Sequence, residues 1–280
     1  MSALYSLDQV LARAHALPAL PQIILRIMET LGDEGANAET LADQIAGDPS
    51  VVARLLGAAN AGAMGTGGRI HSVRQAIMVL GVGRVRDITM ATAVIDRFSS
   101  DPPFDAHRLW LHSIGVPICA QEIAKHAELD KDTAYVAGLL HDIGQLLLFG
   151  MDSNAYSRAL HLKAERDVDI IDVERECLGV DHTAVGGALA RLWKLPETVA
   201  AAISGHHVSA DNEPESEMAD VVHIAEVLSH ALDLGGSEGN RVPRLSDLST
   251  ARMGIEWRRF AENFPRIEAR FDRVRIELGL

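Results

Sequence analysis

Apolar residues recur along this chain every three or four positions, a spacing that predicts one helix after another. Ser6 followed by Gln9 reads as a capping box, opening a helix with Leu7, Val10, Leu11 and Ala14 on one face. Beyond Pro18 and Pro21, Ile24, Ile27, Met28 and Leu31 form the next stripe, which stops at Gly32. Asn37 can cap a short helix holding Leu41 and Ile45. Asp48-Pro49 sets a capping carboxylate ahead of a proline at the first helical position, where the missing N–H costs nothing. Val52, Leu55, Leu56 and Ala59 follow at helical spacing. Ser72 and Gln75 form a second capping box before Val73, Ala76, Ile77 and Leu80, and Gly81 is the stop.

A helix through Val85, Ile88 and Thr92 runs toward Phe98, and Pro102-Pro103 then makes the clearest break in the chain. Beyond it the pattern predicts a long helix over Asp105 to Lys125, kinked at Pro117, another over Asp132 to His141, and an apolar segment through Leu146–Leu148. Further helices are expected near 154–166, 170–178, 182–193, 196–207 and 217–234. The tail carries Trp257, Phe260, Phe264, Ile267, Phe271 and Val274 at mixed steps of three and four. No period-2 run bounded by turns occurs. The expectation is an all-α protein with an N-terminal helical part over 1–100, a second over 101–235, and a helical extension over 236–280.

Composition narrows the function classes. The hydrophobic fraction is 48% and the charged fraction 23%, which suits a folded globular chain. A formal charge of −13 repels a phosphate backbone and argues against general nucleic-acid binding. Arg69, Arg74, Arg84 and Arg86 are close in sequence and could make a local basic patch, but a solvated face is the plainer reading. Two cysteines, Cys119 and Cys177, make no disulfide framework. No signal-peptide pattern and no unbroken apolar run of membrane-spanning length are evident, so cytoplasmic residence is the expectation.

The candidate chemistry lies in the histidines. Of the twelve in the chain, His112, His141, His182, His206 and His207 stand in suggestive places. His141 ends the apolar run Ala134–Leu140 and is followed at once by Asp142. An ionisable pair in such surroundings is costly unless the groups are paired or bind a cation. Each has an ordinary explanation too: a lone histidine is commonly a surface or hydrogen-bonded residue, and Asp142 could simply cap the helix beginning at Ile143.

The order His112, His141-Asp142, His182, His206-His207, then Glu226, resembles the metal-ligand order of the HD superfamily of phosphohydrolases, in particular its HD-GYP branch. Leu17-Pro18-Ala19-Leu20-Pro21, Asp48-Pro49-Ser50-Val51, Ala59-Asn60, Ile70 through Ile77, and Ala137 through Gly144 resemble the HDOD family (HD-related output domain). So do Gly179 through Val185 and Trp193-Lys194-Leu195-Pro196. The resemblance covers roughly residues 7 to 235. It implies an N-terminal helical bundle packed on an HD-like core, and a place in bacterial signal transduction.

It further implies that His112, His141, Asp142 and Glu226 hold one divalent ion, and that His182, His206 and His207 complete a second. Imidazole and carboxylate donors suit Fe, Mn, Ni or Zn, and such an ion would activate water against a phosphoester. His206 and His207, about 100° apart on a helix, need not serve the same ion. The departures are instructive. Gln145 stands where the hydrolases carry a lysine, Glu226 where they carry aspartate, Arg108 where an acidic ligand precedes the first histidine, and Val208-Ser209-Ala210 replaces the GYP segment. If the site were active, Asp142 and Gln145 would be its catalytic residues. The expected function is a non-catalytic regulatory module that acts through signalling proteins and keeps a structural metal. The alternative is a metal-dependent phosphohydrolase acting on a nucleotide or cyclic dinucleotide.

Overall fold

The computed structural model describes residues 4–14, 22–29, 38–62, 70–98, 106–207, 216–235, 241–278 and 280. Among them every regular element is helical. In chain order these are α1 (Leu7–Ala14), α2 (Gln22–Glu29), α3 (Ala38–Ala46), α4 (Pro49–Gly62), α5 (Val73–Leu80), α6 (Val82–Phe98), α7 (Ala106–His126), α8 (Lys131–Leu140) and α9 (Ile143–Met151). The remainder are α10 (Ser153–Arg166), α11 (Ile170–Leu178), α12 (His182–Leu192), α13 (Glu197–Gly205), α14 (Glu217–Ala231), α15 (Asp247–Arg252), α16 (Trp257–Phe260) and α17 (Phe264–Leu278). The motif Leu17–Pro21 and the cap proposed at Asn37 lie outside the described residues.

The caps form as the local chemistry dictates. The amide of Ser6 donates to Gln9 Oε1 at 2.9 Å, while the Gln9 amide donates back to Ser6 Oγ at 3.3 Å. Asp48 Oδ1 accepts from the Val51 amide ahead of α4. At α5 the box is shifted by one: Gln75 N donates to Ser72 Oγ, but Gln75 Oε1 takes the amide of His71 rather than that of Ser72.

The chain forms two compact units, each discontinuous in sequence, where the sequence pattern suggests three contiguous stretches. One comprises Leu20–Asp101 and Pro265–Leu280. Its core includes Ile24, Ile27, Leu41, Ile45, Val51, Leu55, Ile77, Val85 and Ile88. Asn60 fixes the backbone leading into α5, giving its Nδ2 to the Ile70 carbonyl at 2.9 Å and accepting the Ile70 amide on Oδ1 at 2.8 Å. The last helix, α17, belongs to this unit. Arg270 pairs with Asp87 at 2.8 Å, Arg84 with Glu277, and Arg54 Nη1 donates to the Leu278 carbonyl. Arg74 is committed as well, to Glu39 and Asp43.

The other unit comprises Met1–Ala19 and Pro102–Phe264. Its centre is α7, α8 and α14, each buried nearly all round: Ile114 through Ala124, Ala134 through Leu140, and Met218 through Ser229. A helix apolar on every side belongs in an interior. The α7 helix continues through Pro117, and α8 packs so closely on it that a Cβ on Gly138 would come within 2.9 Å of the Pro117 Cα. Around this centre α9 packs on α12, α12 on α13, and α13 on α14. The α8–α9 stretch Lys131–Met151 has the length and mean hydropathy of a membrane span, but 72% of its most apolar window is buried within the fold. It is interrupted by His141-Asp142.

Candidate metal centre

All seven residues singled out by order in the sequence meet in one buried place. The α7 helix supplies His112, the junction of α8 and α9 supplies His141 and Asp142, and the first residue of α12 is His182. The end of α13 supplies His206 and His207, and α14 supplies Glu226. His141, His182 and His206 are each 0% exposed, so no water-facing role accounts for them.

Helix ends explain how neighbours in sequence can share a target. Within a helix, His141 and Asp142 would point about 100° apart. Here α8 ends at Leu140 and Asp142 adopts φ −96°, ψ 10°, bringing its Oδ2 within 3.3 Å of His141 Nε2. The carboxylate makes no capping bond to α9, so the local reading of Asp142 as a helix cap fails and the side chain is left to the cluster. The same holds at His206-His207: α13 stops at Gly205 and the two ring centroids lie 4.5 Å apart. The divergence expected for these two from helix geometry is absent, and both join His182.

Asp142 sits between two sets of imidazoles. Oδ2 faces His141 Nε2 at 3.3 Å and His112 Nε2 at 3.6 Å, while Oδ1 faces His182 Nε2 at 3.3 Å and His206 Nε2 at 3.8 Å. His112 Nε2 is 3.1 Å from His141 Nε2. Glu226 Oε1 lies 3.9 Å from His207 Nε2. Two donors bound to one ion at about 2.1 Å and near right or tetrahedral angles lie about 3.0–3.4 Å apart; the His112–His141 contact and the Asp142 contacts to His141 and His182 are of that size.

The imidazoles are aimed from behind. Nδ1 of His141 donates to the Gly138 carbonyl at 2.7 Å and Nδ1 of His206 to the Ile203 carbonyl at 2.8 Å. Nδ1 of His182 donates to Glu174 Oε2 at 2.7 Å, and the His182 amide reaches the same oxygen at 2.8 Å. Asp169 Oδ1 stands 3.4 Å from His207 Nδ1. With the proton held at Nδ1, the Nε2 lone pair of each neutral ring points into the cluster. Asp142 Oδ1, His182 Nε2 and His206 Nε2 are buried there without a hydrogen-bond partner. Buried donors and acceptors in folded proteins are rarely left so; a cation satisfies all three at once, and the residues present therefore fit a metal.

The electrostatics agree with crowding of like groups around two acids. Burial, reinforced by His141, pushes His112 down to about 3. Burial and the neighbouring His207 hold His206 well below its ordinary value. For His182 burial acts downward, but the charge and hydrogen bond of Glu174 outweigh it and raise the ring to about 9. Burial likewise opposes, and Asp142 overcomes, in raising His141. Asp142 and Glu226 stay below the usual carboxylate range against the pull of burial, Asp142 through His141 and Glu226 through His207 and His206.

Among the described residues three groups of donor atoms result, each within 4.8 Å: His182, His206 and His207; His112, His141 and Asp142; and His112, Glu226 and His230. Glu174, Asp169 and His230 carry no signal that the linear pattern singles out, save that His230 follows Glu226 by one helical turn. Gln145 is half-buried, one turn beyond Asp142, and its backbone N–H donates to the Asp142 carbonyl at 2.9 Å. His223 is a structural histidine: Nδ1 donates to the His206 carbonyl and Nε2 accepts the Ser246 amide.

Close approach of backbones holds the two sides of the cluster together. A Cβ on Gly144 would fall on the His182 carbonyl, and would also come within 2.9 Å of the Gly186 amide nitrogen. Only glycine lets the first turn of α9 seat against the first turn of α12, which is what sets Asp142 against His182.

Known proteins with related sequences and folds bear on this arrangement. A crystal structure of an HDOD domain protein of unknown function from Geobacter sulfurreducens superposes with a TM-score of 0.75 at 26% identity, covering 96% of this chain and 97% of its own. An uncharacterized Treponema pallidum protein is 24% identical over 237 residues, 83% of this chain and 45% of that protein. Ribonuclease Y of Acholeplasma laidlawii is 29% identical over 150 residues, 52% of this chain and 23% of the enzyme. The chain thus spans less than half the length of these two relatives. The HDOD domain model matches residues 17–209, well over half of the chain, and the protein belongs to the HDOD family.

Proposed function

We propose that this chain is a metal-bearing HDOD regulatory module that signals through protein partners. Its ligands would be His112, His141, Asp142, His182, His206, His207 and Glu226. Divalent ions there would tie α7, α8, α12, α13 and α14 together and supply Lewis-acid charge to any phosphoryl oxygen admitted. The observation that carries the reading is the pairing of a pre-aimed donor set with neutral Gln145 at the position where the HD-GYP hydrolases place a lysine. Donors without that cation favour holding a metal over stabilising the charge of a transferring phosphoryl group.

The test is elemental analysis of anaerobically purified protein, followed by assay of the loaded protein on cyclic dinucleotides and a generic phosphodiester. Bound Fe, Mn, Ni or Zn without turnover above background supports the proposal. Turnover abolished by His141→Ala overturns its non-catalytic part, and absence of metal overturns the rest.

A second reading, a metal-dependent phosphohydrolase, is favoured by one feature: Asp142 turns one carboxylate oxygen to each of two donor sets. That is the disposition needed by a pair of ions clamping the two oxygens of an in-line displacement. The ribonuclease Y similarity, which spans half of this chain, points the same way and makes RNA a substrate to include in the assay.

A further inference from the structure

We infer that His230 is a metal ligand of this centre, forming with His112 and Glu226 a further donor group on the α7–α14 side. The inference rests on the metal-bearing reading above and extends it to a residue outside the seven.

Three observations place it. His230 follows Glu226 by four residues on α14, so the two side chains lie on one face of the helix, one turn apart. Its ring centroid is 5.1 Å from that of His112, the same separation as between His112 and His141, so the His112 ring touches both. A nitrogen of each ring and a carboxylate oxygen of Glu226 all fall within 4.8 Å of one another. Glu226 also faces His207 Nε2 at 3.9 Å. It therefore stands between two donor groups, much as Asp142 does.

Two imidazoles and one carboxylate suit a borderline divalent ion such as Fe, Mn or Zn, with open positions left for water or a ligand. A ring nitrogen offers one lone pair to one ion. The groups meeting at His112 therefore describe either one ion with donors from both sides, or a second ion bound when His112 turns to the α14 side. In both cases removing His230 takes away a first-hand donor.

The plainer role for His230 is electrostatic, since it lies in the last turn of α14, where a positive side chain is favourable. That role acts on the metal-free protein, and ligation acts only on the loaded one. The experiment is Co(II) titration of metal-free protein, read by d–d absorption, together with thermal unfolding of the empty and loaded forms, for wild type, His230→Ala and His230→Gln. Ligation predicts Co(II) affinity at least about tenfold weaker, an altered absorption band, and a smaller metal-induced rise in Tm, each loaded form being read against its own empty form. A Co(II) titration and band indistinguishable from wild type in a folded His230→Gln protein overturns the inference and leaves the metal-bearing reading standing. Wild-type protein that takes up no Co(II), Mn(II) or Fe(II) overturns both. His230→Gln stands in for His230→Ala if the smaller side chain costs the fold.

Discussion

His182 gives two hydrogen bonds to a single oxygen of Glu174, one from its ring and one from its backbone amide, at 2.7 and 2.8 Å. Both residues are 0% exposed. The carboxylate therefore fixes which ring nitrogen carries the proton and the angle at which the other enters the cluster.

Glu174→Ala should leave two buried N–H groups without an acceptor, costing about 1–3 kcal/mol for each. It should also weaken metal affinity by about 10- to 100-fold, as loss of a group that orients a ligand does. Glu174→Gln keeps an acceptor but removes the charge that lifts His182 to about 9. NMR titration of metal-free protein should then show the His182 ring deprotonating at lower pH than in wild type. An unmoved titration would mean that Glu174 is not the cause.

Gly144→Ala places a methyl group on the His182 carbonyl. Either α9 and α12 move apart or the backbone distorts, with a loss of about 1–3 kcal/mol by overpacking. Separation would carry Asp142 away from His182, so the variant should lose metal as well as stability. Gly150→Ala, with nothing within 4 Å of the added carbon, is the matched control and should retain both. Denaturant unfolding and metal content measure the pair.

Within the unit that lacks the histidine cluster, Asn60→Ala strips the Ile70 amide and carbonyl of their partner. A loss of about 1–3 kcal/mol is expected, with metal content of the folded protein unchanged. Chemical denaturation with paired elemental analysis tests it; metal lost in parallel from folded protein would contradict the assignment.

Tyr156 supplies a pH dependence outside the ligand set. It is fully buried, and burial together with the Glu174 charge raises its phenol well above the ordinary 10. The neutral phenol is thus the folded-state form. Its contribution is complete below the unfolded value near 10 and is lost as pH climbs from there toward the folded value. Ultraviolet titration should show a tyrosine signal that ionises only with alkaline unfolding and is reduced in Tyr156→Phe, and that variant should flatten this part of the stability curve.

How much of this was legible beforehand depends on the range of the interaction. The Ser6–Gln9 box and the Asp48 cap are contacts between residues three apart, and reading along the chain finds them. Local reading fails where tertiary contact wins. Asp142 looks like a cap because a helix follows it, yet its carboxylate serves the cluster. His206 and His207 look divergent because the pattern does not show the helix stopping at Gly205. The seven cluster residues are visible through their order, a family trait that stands in for three-dimensional knowledge. Glu174 and Asp169 have no such signature: a buried acid in mid-helix and a helix cap are common, and only the fold reveals that each faces a particular imidazole. The last helix was expected from its apolar spacing, but nothing in that spacing says that α17 joins α2–α6 while α15 and α16 stay with the larger unit.

That return of α17 bears on how the molecule can be cut. The stretch carrying the family signature, 17–209, stops before Glu226 and His230 on α14 and omits the helix whose Arg270 reaches Asp87. It also discards α1, which packs on α12 and α9. A fragment trimmed to the signature would have an open seam in each unit and an incomplete donor cluster, and its failure to bind metal would reveal nothing about the whole.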